Sequence, residues 1–293
     1  MIGTETHQQD GRSAVKMDPE KKLPVLVIRR GSNTALTDIR EIWERRELVY
    51  MLIWRDLKLR YKQTILGVSW AIVQPTLMTI VFAVFFGMIV QVPSDGIPYA
   101  VFAYSGLLIW SFFSQALMSG SMSLSGNANL INKIYFPRSI LPLASVCVRL
   151  VDLGAAAIPL WGLMLYYKLP FTWSMLWCPL LIAQLALLSF ALSAVLAALQ
   201  LRFRDVGSIM PILIQAWLFA SPVVYPASIV GNEWRKFYFL NPMAGIVENW
   251  RAALFGTPID RSAMMISGSI TLILSLICIR WFYALSRNMG DVY

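Results

Sequence analysis

Arg149 and Asp152 form the one pair of opposite charges inside an otherwise apolar stretch of this 293-residue chain. Three residues apart on a helix, they share a face and can reach each other. Either one alone against lipid is expensive, so both are expected to face the interior of a helix bundle. Two roles fit: a substrate or proton site, or a neutralised pair that fixes helix packing. The packing role carries more weight, because a single pair makes a poor proton relay. Catalytic chemistry finds little else to use. There is no GxxxxGK[ST] loop to cradle a nucleotide, no HExxH, no GxSxG and no acidic metal cluster. His7, the only histidine, lies in a polar N-terminal tail, and Cys147, Cys178 and Cys278 lack ligand spacing. No catalytic residue, metal site or cofactor is therefore expected on this chain.

Two other groups of residues could act by binding. Phe82, Phe86, Trp110, Phe113 and Trp217 lie in or near apolar runs. Most aromatics in such places pack the membrane core or its interfaces, but ring faces can also stack on sugar rings along a conduit. The segment 119–138 is rich in Ser, Asn and Gly and ends in Lys133-Ile134-Tyr135-Phe136-Pro137-Arg138. Asn127 or Asn129 could cap a short helix there. Tyr135 and Phe136 read as exposed apolar knobs beside charges, the signature of a docking site for a soluble partner.

The elements that must position these residues are set by the bilayer. Hydrophobic residues make up 57% of the chain and charged ones 14%, against about 25% charged in a usual soluble protein. The remaining charges are clustered, leaving six apolar runs at 66–90, 99–119, 140–166, 173–201, 206–224 and 264–283. Each is near the roughly 20 residues a crossing helix needs, so the chain reads as an all-α integral membrane protein with six transmembrane helices. The net charge of +9 comes from Lys and Arg beside these runs, which argues for anchored loops and against nucleic-acid binding.

Residues 1–37 read as a flexible cytoplasmic tail, 38–62 as an amphipathic helix in the membrane interface, and 63–293 as the transmembrane domain. The tail shows no cleavable signal, so the first span is expected to act as an uncleaved insertion signal. Basic residues collect at 40–62, at Lys133 and Arg138, and at Arg202 and Arg204, while 91–98 carries only Asp95. That alternation places both termini in the cytoplasm. The segment 225–262 falls on the outer side. Its apolar middle is broken by Asn241-Pro242 and Gly245, a pattern that suits re-entrant helices shielded by protein or by a water-filled cavity.

Five ordered segments bring a family into view: Trp54-Arg55-Asp56-Leu57-Lys58 continuing into RYKQTILG at 60–67, NLINKIYFPRSILPL at 129–143, RFRDV at 202–206, FASPVVYP at 219–226 and LNPMAGIVENWRAALFG at 240–256. In this order the chain resembles the membrane subunits of ABC type 2 polysaccharide exporters, the permeases for O-antigen, capsule and teichoic acid. The resemblance covers roughly 38–293; the terminal Met-Gly-Asp-Val-Tyr departs from the usual ending.

The resemblance implies a homodimer of this chain in the bacterial inner membrane, paired with two copies of a cytoplasmic ABC ATPase that carries the ATP and Mg. It implies that Asn129, Lys133, Tyr135, Phe136 and Arg138 couple to that ATPase. The cargo it implies is a polysaccharide on a polyprenyl pyrophosphate lipid, whose head could meet Arg60, Lys62 and Arg204. A gradient-driven secondary transporter, or an exporter of another lipid or drug, is the alternative. The former needs midplane ion-coupling groups and paired broken helices, and only the single charged pair is present.

Overall fold

A backbone in lipid has no water to satisfy its N–H and C=O groups, so long apolar runs can cross only as helices. The computed structural model describes residues 35–62, 67, 69–133 and 136–287, and every regular element among them is helical. In chain order these are α1 (Ala35–Glu44), α2 (Arg46–Lys62), α3 (Ser69–Phe82), α4 (Tyr99–Ser121), α5 (Ser123–Gly126), α6 (Ala128–Lys133) and α7 (Ile140–Tyr166). They continue as α8 (Cys178–Arg202), α9 (Asp205–Phe219), α10 (Asn232–Tyr238), α11 (Pro242–Phe255) and α12 (Arg261–Arg287). A π-helical stretch, Ala83–Ile89, prolongs α3, and a 3₁₀ turn, Trp173–Trp177, leads into α8.

Five of the described helices are long and apolar enough to cross a membrane: Ser69–Ile89, Tyr99–Ser121, Ile140–Tyr166, Trp173–Arg202 and Arg261–Ser286. The run expected as a further span at 206–224 forms only the 15-residue α9. At 1.5 Å per residue such a helix covers about 22 Å, short of the roughly 30 Å hydrocarbon core. The reason lies in Ser221-Pro222, since the residue before a proline is pushed out of the helical region. The chain turns there, with residues 221–224 buried.

The expected single helix at 38–62 is two helices separated by a turn at Arg45. Leu52 of α2 is buried with Leu124, Phe136, Ile140, Leu141 and Phe282, while Trp43, Tyr50 and Trp54 stay exposed.

Helix α4 is the axis of the bundle. Every residue from 101 to 110 is buried, and α4 packs on α3, α7, α8, α9 and α11. Inside a membrane this packing rests on close contact more than on expelling water, which favours small residues at the interface. Helix α8 supplies Ala191, Ser193, Ala194, Ala197 and Ala198, all buried. Gly120 of α4 lies against Ser193 so closely that a Cβ there would stand 2.5 Å from the serine Cβ. Hydrogen bonds add direction: the Tyr104 hydroxyl donates to the Ala156 carbonyl of α7 at 2.8 Å, and the Gln184 amide of α8 donates to Thr271 of α12 at 3.2 Å.

Gly120→Ala is expected to cost about 1–3 kcal/mol through overpacking, read as a lower unfolding midpoint in detergent. Ser193→Gly in the same chain should restore it. A Gly120→Ala midpoint equal to the parent's would contradict this packing.

Candidate functional site

The charged pair foreseen in the sequence is the centre of a larger cluster. Helix α7 carries Arg149 and Asp152 on one face, and the structure joins them at 3.3 Å. Helix α2 brings two further groups to the same carboxylate. Arg60 Nη1 lies 2.8 Å from Asp152 Oδ2, and the Tyr61 hydroxyl donates to Oδ1. Tyr61 sits outside the spans. Burial first, then its bond to Asp152, push its hydroxyl up to about 12, so it stays protonated and remains a donor at neutral pH.

Helix α4 closes the cluster. Arg149 Nη1 donates to Gln115 Oε1 at 2.7 Å and its Nε to Ser119 Oγ at 3.2 Å. Arg60 Nη2 also donates to Gln115 Oε1 at 3.3 Å, and the Gln115 amide donates to Gln74 of α3 at 3.3 Å. Side-chain exposure is 9% for Asp152, 18% for Arg149 and 29% for Arg60. Removing water from such groups is costly, and only their mutual contacts offset it. The cluster therefore fixes how α2, α4 and α7 meet more than it adds net stability.

A second tether leaves α2 one turn earlier. Arg55 Nη2 donates to Asn127 Oδ1 at 2.9 Å and pairs with Asp56 at 2.8 Å. Asn127 lies between α5 and α6, where it also donates to the Ser123 carbonyl at 2.9 Å. Asn129 and Lys133 are exposed on α6. Phe136, expected as an exposed knob, is instead 5% exposed. Its flanking charges suggested solvent, but α2 and the end of α12 cover it through Leu52 and Phe282. Arg138 Nη1 donates to the Ser286 carbonyl at 2.8 Å, tying the segment to α12. Tyr135 lies outside the described residues, while Lys62 and Arg204 are exposed, Arg204 at the start of α9.

The aromatic candidates divide into two groups. Trp110 and Phe113 of α4 are buried, and Phe113 meets Trp217 of α9 edge-on at 5.1 Å. Phe82 and Phe86 form a tilted pair at 5.4 Å and are half-buried, as is Trp217. The Trp217 indole N–H donates to Asn241 Oδ1 at 3.0 Å; the Asn241 amide donates to Ala220 O and Ser221 Oγ at 3.0 and 2.9 Å. Asn241 thus caps α11, accepting from the Met243 N–H, and fastens it to the end of α9.

Sequence reading did not single out Arg251. It is buried at 5% exposure, with its guanidinium 3.6 Å over the Phe102 ring, and it donates to the carbonyls of Pro222 and Val223. Those carbonyls belong to the turn that follows α9. Gly106 lets it approach, since a Cβ there would stand 2.4 Å from its Nη2. The available signal was an arginine among Trp, Ala and Leu at 250–254. Gln115, a lone amide in an apolar span, carried a similar signal. Nothing local marks Tyr61 as a partner of Asp152.

The chain matches the ABC-2 type transporter family over residues 47–255. It is similar to the O-antigen export system permease protein RfbA of Myxococcus xanthus, with 30% identity over 241 residues, 80% of this chain and 91% of that protein. A permease of the same description from Klebsiella pneumoniae is 25% identical over 250 residues, 84% of this chain and 95% of that one. The polysialic acid transport protein KpsM of Escherichia coli is 21% identical over 220 residues, 70% of this chain and 80% of its own length. Arg55, Arg60, Arg149, Asp152 and Arg251 all fall inside the matched region.

If Arg60 and Asp152 act as one unit, Arg60→Gln and Asp152→Asn should each lower the unfolding midpoint, and the double variant should lose less than the two together. A coupling of about 1 kcal/mol or more is expected; strict additivity would separate the two residues.

Proposed function

The chain belongs to the ABC-2 type transporter family, and from that premise we propose that it is the membrane-spanning subunit of an ATP-driven exporter of a lipid-linked polysaccharide. The observation that carries this reading is the near end-to-end similarity to an O-antigen export permease, 91% of whose length aligns. The energy source is a cytoplasmic ABC ATPase on a separate chain, binding ATP and Mg, two copies to a homodimer of this permease in the bacterial inner membrane.

Both termini lie in the cytoplasm in this proposal. Five crossings would leave them on opposite sides, so α9 together with the turn at 220–226 supplies a sixth crossing, and α10 and α11 form the re-entrant pair at the outer face. The even spacing of basic segments supports it. Helices α1 and α2 then lie at the inner interface, where exposed Trp43, Tyr50 and Trp54 suit the headgroup level.

The coupling surface is α6 and the segment after it. Asn129 and Lys133 are free to meet the ATPase, while Phe136 and Arg138 root the segment in α2, α7 and α12. Lys62 and Arg204 form a basic rim with Arg60 for the anionic head of the cargo. Phe82, Phe86 and Trp217, being half-buried, offer ring faces to a conduit between two copies; Trp110 and Phe113 back them from the core.

The purified permease should hydrolyse no ATP by itself. Joined to its ATPase in the cell, it should export polysaccharide, and export should stop when the ATPase catalytic carboxylate is replaced while the proton gradient persists. Export that continues under that condition would instead support a gradient-driven carrier. Lys133→Glu on exposed α6 is expected to reduce export while leaving the unfolding midpoint unchanged; full export by this variant would move the coupling contact elsewhere.

A further inference from the structure

Where α2 meets the end of α4 and the middle of α7, one positive charge is left over among the described residues. Arg55, Arg60 and Arg149 gather there with Asp56 and Asp152, three guanidinium groups to two carboxylates. An uncompensated charge among partly buried groups is costly, and an arriving anion relieves the cost with charge-assisted hydrogen bonds. Donors remain for it. Arg149 uses Nη1 and Nε on Asp152, Gln115 and Ser119, which leaves Nη2 without a protein partner among the described residues. Arg60 uses Nη1 and Nη2, leaving its Nε–H.

There is also room. A cavity of about 480 Å³ is lined by Arg60 and Arg149 together with Ser119, Ser123, Asn127 and Ser145, within the range of roughly 300–1,000 Å³ usual for small-ligand sites. Its lining is polar enough to admit a hydrated group. Asp56 also lines it, but Arg55 neutralises that carboxylate at 2.8 Å. The site lies beside α2 between the end of α4 and the middle of α7, and basic pockets between membrane helices take lipid head groups. Phosphate oxygens accept charge-assisted hydrogen bonds from guanidinium groups, which suits the free Arg149 Nη2 and Arg60 Nε–H donors.

We infer that this cavity binds the phosphate-bearing head group of a lipid, with Arg149 and Arg60 as its ligands and Asp152 as the internal competitor for their donors. The site stands on its charge and geometry; naming the lipid as the diphosphate carrier of the cargo, not a bilayer phospholipid, rests on the exporter reading above.

The test uses the full chain in phosphatidylcholine nanodiscs titrated with farnesyl diphosphate, with farnesol as the uncharged control. The diphosphate should bind saturably and farnesol should not. Arg149→Gln should weaken binding about tenfold or more. Asp152→Asn removes a negative charge, so it should bind at least as tightly as the parent even though its unfolding midpoint falls. A cluster that only holds the fold together would lose binding and stability together in both variants. That pattern, or unchanged binding by Arg149→Gln, overturns the site.

Nanodiscs containing phosphatidylglycerol separate the two lipid sources. Undiminished binding of the diphosphate there supports the cargo assignment, and full competition by phosphatidylglycerol overturns it. Arg149-dependent binding in a permease whose export survives an inactive ATPase would sink the exporter reading and leave the site intact. Unchanged diphosphate binding by Arg149→Gln beside ATP-dependent export would do the reverse.

Discussion

The carboxylate of Asp152 can sit inside an apolar bundle only because two guanidinium groups and a phenol meet it there. A bare carboxylate in low dielectric is penalised far beyond what packing returns. Arg149 comes from the same helix, but Arg60 and Tyr61 must be delivered by α2. Much of the bundle's geometry at this end follows from that requirement. Helix α2 must lie against α7 in one register, Gln115 must turn towards both arginines, and α4 must approach closely enough for it to do so. Apolar contacts such as Leu52 with Ile140 and Leu141 are non-directional and would tolerate sliding. The carboxylate would not.

The other end of the bundle meets the same constraint with a different chemistry. Helix α9 ends at Phe219 and the chain turns through Ser221-Pro222, so backbone carbonyls are released where water is scarce. Arg251 satisfies them and rests its flat face on Phe102, while Asn241 takes the carbonyl of Ala220. Here, among the described residues, the cation is met by peptide dipoles and a ring, not by a contacting carboxylate. Helix α4 touches both arrangements, through Phe102 and Ser105 near its start and through Gln115 and Ser119 near its end. Residues 101–110 between them are buried throughout although α4 is long and apolar enough to span a membrane.

The residues explain which features a sequence reader can see. Long charge-free runs mark the spans because lipid leaves no alternative to helix, and all five full-length crossings fall where such runs were read. The i,i+3 pair Arg149–Asp152 is legible because both members lie on one helix. Its remaining partners are not, since Tyr61 stands 91 positions away and only tertiary packing brings it in. Phe136 misled for the same reason. Its neighbours in sequence are charged, yet its neighbours in space are Leu52 and Phe282. At 206–224 hydropathy alone overstated the helix, because a single Ser-Pro step outweighs an apolar run. Arg251 escaped notice because an arginine in a segment read as an outer loop looks like an ordinary solvated charge.

The two tethers of α2 bear on how movement could pass through such a subunit. Arg55 joins α2 to Asn127, and hence to the short helices α5 and α6; Arg60 and Tyr61 join it to the middle of α7. Phe136 and Arg138 carry the same segment onto the end of α12. A displacement of α6 therefore cannot be absorbed locally by apolar sliding. It must either carry α2, α7 and α12 with it or break hydrogen bonds to charged groups, each worth about 1.5–3 kcal/mol. Packed interfaces of this kind pass between discrete arrangements and do not deform continuously. The surplus positive charge of the cluster makes that choice sensitive to any anion beside it, because an anion that engages Arg149 and Arg60 competes with Asp152 for the donors that hold α2 in place. Occupancy of the cavity and the position of α2 are then linked quantities, and a change in either must appear in the other.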